Sequence, residues 1–299
     1  MSINFGDTER HIKFLFAKDS NFKINNEIYR VILSGKPTCS NGEPKTDIYV
    51  LVENTNTSQE YELKISVKKT NADFLENKIS AERAESILGE NWSEIIKRST
   101  LQLEDSFNNR PLIYKNKHGR TNAGSITLGW RFEFVNKNNG ELSNKILLTH
   151  QQILDVYSGN TLPPSKKNSF VNDLQIPNSG IANLILVGDI DDFNDIDSVL
   201  QNLITIDDYA KLHPNIYFAC KALNYRTFEH KFEGNRPLSV FVDWNACNGK
   251  LEPTIRFDSP LVVRGNEVAN KLLYTLSQLN IYTTDDITEQ HLSSYQYVY

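Results

Sequence analysis

Cysteine is scarce in this 299-residue chain: Cys39, Cys220 and Cys247 are scattered and odd in number. That usage suits free thiols in a reducing cytoplasm and offers no disulfide framework. None sits in a CxxC pair, and the six histidines show no HxxxH spacing, so zinc sites built on either pattern are not expected. Long apolar runs are also missing; Ile181–Val187 is typical and falls far short of a bilayer. Met1–Asp7 has no basic stretch leading into an apolar run, so no secretory signal is expected and the cytoplasm is the expected compartment. There is no GxGxxG, Walker or GxSxG motif, which argues against dinucleotide-dependent redox chemistry, ATP hydrolysis and serine hydrolysis. The acidic stretch Asp189–Asp197 fails as a calcium loop, because Phe193 occupies a ligand position and the required glycine is missing. It reads instead as a solvated acidic turn before a helix.

The composition is that of a folded chain, long enough for one large core or two modest ones. A net charge of −5 is unlike a protein that coats nucleic acid indiscriminately. Charge is nevertheless segregated. Ser106–Phe132 contains no acid but carries Arg110, Lys115, Lys117, Arg120 and Arg131, whereas 189–209 carries seven aspartates and no base. A local basic segment on a mildly acidic protein suits a polyanionic partner held in a defined cleft.

Residues Asn25–Leu33 read as a helix capped by Asn25 and stopped near Gly35 and Pro37. Turn-rich residues 38–45 then lead into two alternating strands, Thr46–Glu53 and Tyr61–Lys68, joined by the polar tip Asn54–Gln59. A helix from Ser80 to Gly89 follows, and a second over Trp92–Leu103. Beyond residue 105 the chain turns β-rich. Ile126–Val135 and Lys145–Leu148 are expected to pair around Asn138-Asn139-Gly140, and Thr149 to cap a helix ended by Gly159. Ile181–Val187 reads as a strand covered on both faces. Asn215–Leu223 is another strand, and Leu238–Trp244 and Lys250–Phe257 form a hairpin across Asn248-Gly249. Asn266–Leu279 closes the chain as an amphipathic helix. The expected organisation is residues 1–105 as one lobe and 106–299 as another, with both as lobes of one compact body as the alternative.

Chemistry concentrates in the 46–68 hairpin. With the turn centred between Asn56 and Thr57, Asp47 faces Ser66, and Asp47, Tyr49, Lys64, Ser66 and Lys68 share one face. Lys68 is then a diagonal neighbour of Asp47, close enough for both to hold one metal-bound phosphate. A tighter turn on Asn54-Thr55 would place Asp47 opposite Glu62 and make Glu62 and Lys64 the pair. Acids that fix Mg²⁺ acidify a bound water and neutralise the charge that develops in phosphodiester hydrolysis, and a lysine can orient that water.

These residues resemble the PD-(D/E)xK nuclease superfamily, the fold of most type II restriction endonucleases, over roughly residues 25–90. Thr46 stands where the pattern has proline, with Pro44 displaced. One subgroup, enzymes that recognise CCGG-type cores, has Ser-x-Lys on the strand and takes its missing glutamate from the next helix, with thirteen residues between lysine and glutamate. Here Ser66-Val67-Lys68 is followed at that spacing by Glu82, although the gap from Asp47 to Lys68 is shorter than that subgroup's. The resemblance implies an α/β (α+β) fold, a mixed central sheet flanked by helices with a β-rich C-terminal part. It implies Asp47 and Glu82 as metal ligands, Lys68 as the catalytic lysine, Ser66 in the vacated acid position, and Glu27 as an auxiliary acid. The activity implied is Mg²⁺-dependent, site-specific cleavage of double-stranded DNA by a homodimer; the alternatives are a non-catalytic DNA-binding module on the same fold or a nuclease for modified or branched DNA. Arg110, Lys115, Lys117, His118, Arg120 and Asn122, with Lys166 and Lys167 more weakly, are the expected DNA contacts, combining phosphate-seeking cations with groups suited to base edges.

Overall fold

The computed structural model describes residues 5–40, 42–70, 72–77, 79–292, 294 and 298–299. Met1–Asn4 and Asn41, which the expectations above include, lie outside them. The chain is α+β and packs as two compact units: residues 1–72 with 148–214, and residues 73–147 with 215–299. The boundary expected at 105 therefore falls inside the second unit. Among the described residues no helix is long and apolar enough to cross a membrane.

The first unit opens with helix α1 (Phe5–Leu15), followed by four antiparallel strands: β1 (Asn21–Ile24), β2 (Glu27–Gly35), β3 (Ile48–Asn54) and β4 (Glu60–Lys68). The helix expected over 25–33 is thus a strand. Asn25 and Asn26 take φ of 50° and 68°, so they turn a two-residue hairpin rather than cap a helix. The β-branched Ile28, Val31 and Ile32 then suit an extended chain. On its other edge β4 pairs in parallel with Leu184–Val187, which pairs with Leu203–Thr205. The expected strand at 181–187 therefore begins three residues late. Ile48, Val50, Val52, Ile65, Val67 and Leu186 meet Ile12 of α1 and Phe16 just beyond its end, together with Phe193 and Val199, in one buried cluster. Each such side chain stabilises the unit by about 1.5–3 kcal/mol. The crossover from β4 to Leu184–Val187 carries the helix His150–Ser158, whose Thr149 cap and left-handed Gly159 agree with the sequence reading.

In the second unit Ile216–Arg226 lies alongside Ser125–Val135, with Phe132 and Phe218 stacked at 5.1 Å. The short strand Ser143–Ile146 pairs with the opposite edge of Ile216–Arg226, so the hairpin expected between 126–135 and 145–148 does not form. The later strand has been inserted between the two. Val240–Cys247 and Lys250–Arg256 join at Asn248-Gly249 with φ of 50° and 76°, the two-residue turn that the sequence signals. Gly129 is needed where Val240–Cys247 approaches, since a Cβ there would lie 2.5 Å from the Val240 carbonyl oxygen. The helices Ala81–Leu88, Trp92–Leu101 and Gly265–Gln278 belong to this unit, the first capped by Ser80 and Gly89 as expected.

Candidate active site

Asn54 fixes the register on which the site depends. Its side-chain oxygen accepts from the backbone N–H groups of Asn56 (2.9 Å) and Thr57 (3.1 Å), closing the tip as a six-residue loop. Glu53 consequently faces Glu60 and Ile48 faces Ile65, which sets Asp47 against Ser66. Leu51, not Asp47, lies opposite Glu62, so the tighter register is excluded. Asp47 continues the ladder by donating its N–H to the Ile65 carbonyl (2.9 Å). Its carboxylate accepts the Val67 N–H at 2.8 Å and lies 3.4 Å from the Ser66 hydroxyl. Lys68 is two residues further along the same face as Ser66, with its carbonyl held by the Gly188 N–H.

A second carboxylate joins this group from α1. Glu9 is only 6 % exposed and is paired at 2.6 Å with Lys36, just beyond the end of β2. Burial pushes the Asp47 carboxyl up to about 6; the Lys68 charge opposes this, the Glu9 charge adds to it, and the Val67 N–H and Lys36 oppose it. Burial works against the Lys36 ammonium, but its hydrogen bond to Glu9 and the charges of Glu9, Glu43 and Asp47 together raise its pKa. Two acids and two lysines thus share one field at the entry to β3. Beside the acids in sequence, the buried hydroxyls of Thr8 and Thr46 have no hydrogen-bond partner among the described residues.

Glu62, Glu27 and Glu82 each have partners of their own. Glu62 is engaged by the Tyr49 hydroxyl (2.7 Å) and by Lys64 (3.2 Å). Burial, and then the Glu62 carboxylate, raise the pKa of the Tyr49 phenol. Glu27 opens β2 and accepts from the Asn54 amide at 2.5 Å, so it belongs to the loop end of the hairpin, away from Asp47. Its expected role on a preceding helix fails because that helix is a strand; the helix that does supply an acid is α1. Glu82 lies in the second unit, in the first turn of Ala81–Leu88. There the Ser80 hydroxyl and Glu82's own N–H hold its carboxyl below the ordinary range, with the Arg264 charge contributing. The charges that act on Asp47 are those of Lys68, Glu9 and Lys36, all within the first unit.

No family model, curated protein or solved structure matches this chain. The site must be judged on its own chemistry.

Lys166 and Lys167 lie on the short helix Pro164–Lys167 of the first unit. That segment packs against the strand entry through Gly180, whose N–H donates to the Lys167 carbonyl (2.9 Å) and whose own carbonyl accepts the N–H groups of Lys45 and Thr46. Arg110, Lys115, Lys117, His118, Arg120 and Asn122 belong to the second unit, where Arg110 is paired with Glu141 at 2.9 Å. A cavity of about 550 Å³ in the first unit is lined by Lys64, Asn160, Asn183 and Ile206 but not by Asp47, Glu9 or Lys68. Asp189 and Asp192 close a short helical turn, as the reading of an acidic turn anticipates. Among the described residues no group of three or more His, Cys, Asp or Glu side chains is assembled for a metal.

The acid missed by sequence reasoning is Glu9. Its signal was present, because Glu9, Ile12 and Phe16 fall on one helical stripe and an acid on an apolar stripe is unusual.

Proposed function

We propose that the chain is a Mg²⁺-dependent DNA endonuclease of restriction-endonuclease-like fold, with Asp47, Glu9 and Lys68 as its working groups. The observation that carries this reading is the β3–β4 register, which sets Asp47 against Ser66 two residues before Lys68. An antiparallel meander continued by a parallel strand supports the mixed core that the resemblance implies.

The donor set fits magnesium. Two carboxylates, with the Thr8 and Thr46 hydroxyls nearby in sequence, are hard oxygen donors, and magnesium keeps waters in its remaining positions. When bound it supplies charge neutralisation at the phosphate and a more acidic water. Asp47 and Glu9 would hold it. Lys68 would then orient the attacking water and offset negative charge in the transition state. Lys36, paired with Glu9, keeps the two acids from repelling one another before a cation arrives. Lys166 and Lys167 would bind backbone phosphates beside the strand entry. A two-fold symmetric cut in double-stranded DNA would be matched by a homodimer.

The test is incubation of the purified protein with plasmid or phage DNA and Mg²⁺, read as discrete fragments on a gel. Asp47→Asn, Glu9→Gln and Lys68→Ala should each abolish cleavage, while Glu82→Gln and Glu62→Gln should cleave normally. Full activity in Asp47→Asn would overturn the assignment. DNA binding that ignores divalent ions, with no cleavage by the wild type, would favour a non-catalytic binding module.

A further inference from the structure

The basic segment of the second unit is a closed hairpin. Ile113 and Tyr114 pair with Ile126 and Ser125, and His118 and Thr121 exchange two backbone hydrogen bonds of 3.0 and 2.9 Å. Val298 bridges Ile113 in parallel, and Tyr299 bonds to one edge of the hairpin's first strand, before and after Tyr114: its N–H donates to the Ile113 carbonyl, and its backbone oxygen accepts the Lys115 N–H. This holds the Tyr299 ring on His118, with centroids 4.1 Å apart, while the buried Tyr114 backs both rings at 6.3 and 6.2 Å. Tyr299 is itself 46 % exposed. Ion pairs elsewhere in the unit engage Arg110, Arg131, Lys137 and Lys221. Among the described residues, none engages Lys115, Lys117 or Arg120, which sit in a stretch free of acids.

An exposed aromatic face braced from behind, with unpaired cations on the same hairpin, is the chemistry that holds unpaired bases. The ring stacks on a base of any sequence while the cations track the phosphates. Bases inside an intact duplex are already stacked on one another and offer no face. We propose that Tyr299, seated on His118, is a stacking site for unpaired bases of single-stranded DNA, with Lys117 and Arg120 on its phosphates. The inference rests on DNA as the substrate proposed above, and it would direct the nuclease toward ends, gaps or branches.

The test is fluorescence anisotropy of the full chain with a labelled thymidine oligonucleotide and with a duplex, both in EDTA so that cleavage plays no part. Single strands should bind tighter than the duplex. Tyr299→Phe should bind as the wild type does. Tyr299→Leu, which keeps the backbone bonds and an apolar contact to His118, should weaken single-strand binding at least about fivefold. Lys117→Gln and Arg120→Gln should each reduce the slope of log affinity against log salt by about 0.7. Equal binding by Tyr299→Leu and the wild type, or preference for the duplex, overturns the proposal. Single-strand binding without cleavage in any divalent ion would sink the nuclease reading and leave this one standing; cleavage with Tyr299→Leu unaffected in binding would do the reverse.

Discussion

Replacing Asp47 by asparagine should stabilise the protein, and only above acidic pH. The carboxyl titrates at about 6 in the folded chain against 3.8 for the ordinary group. A gap of about two units corresponds to roughly 3 kcal/mol between the protonation states. The sign follows from which state holds the proton. Between about pH 4 and pH 6 the folded chain binds more protons at this group than the unfolded chain, so stability falls as pH rises through that window. Above it the full penalty persists; below it the penalty vanishes. Asparagine is uncharged, has nearly the same shape and still offers an oxygen to the Val67 N–H, but it leaves Lys68 and Lys36 with one acid fewer. The expected gain is therefore about 1–3 kcal/mol near pH 8 and close to zero near pH 4. Urea unfolding by far-ultraviolet circular dichroism measures it. Trp92, Trp130 and Trp244 all belong to the second unit, so their fluorescence serves as an internal control that should not shift. A variant that is less stable than the wild type, or that differs from it equally at every pH, would refute the account of a strained carboxylate.

Three further outcomes are expected. Calcium, tested by thermal unfolding, should stabilise the wild type by about 2.7 kcal/mol at a hundredfold excess over its dissociation constant, and Glu9→Gln or Asp47→Asn should lose most of that response. Asn54→Ala removes the acceptor of two loop N–H groups and the donor to Glu27; it should destabilise the first unit by about 1–3 kcal/mol, seen as faster hydrogen exchange in β3 and β4. Gly129→Ala should destabilise the second unit by at least about 1 kcal/mol, reported directly by tryptophan fluorescence, because the new methyl meets the Val240 backbone.

Local chemistry was legible wherever one or two residues decide the conformation. Ser80 and Gly89, Thr149 and Gly159, and Asn248-Gly249 each fix a backbone turn with their own side chains or their own lack of one. The β3–β4 register belongs to the same class, since Asn54 bonds within its own loop. Two kinds of failure stand against these. Asn25 could cap a helix or enter a left-handed turn, and pairing with β3, a tertiary event, decided for the turn. The strands 125–135 and 143–146 are close in sequence, yet Ile216–Arg226 comes between them, which no local pattern announces. The site shows the same division. Asp47 and Lys68 share a hairpin and could be paired on paper; Glu9 comes from a separate helix, and Glu82 belongs to the other unit.

The chain passes from one unit to the other three times, and this sets the order in which the protein can be made. When β4 leaves the ribosome, its parallel neighbour Leu184–Val187 has not been synthesised, and four of the eight strands of the second unit's sheet wait for residues beyond 214. The edge that carries Ser66 and Lys68 therefore stays unpaired through the synthesis of residues 73–147, during which the second unit cannot close either. An interval with two open sheet edges favours pairing with another chain over folding. Neither unit can be released by cutting at one point, and a ribosome stalled near residue 214 would leave the first unit's sequence complete and the second unit's sheet without four of its strands.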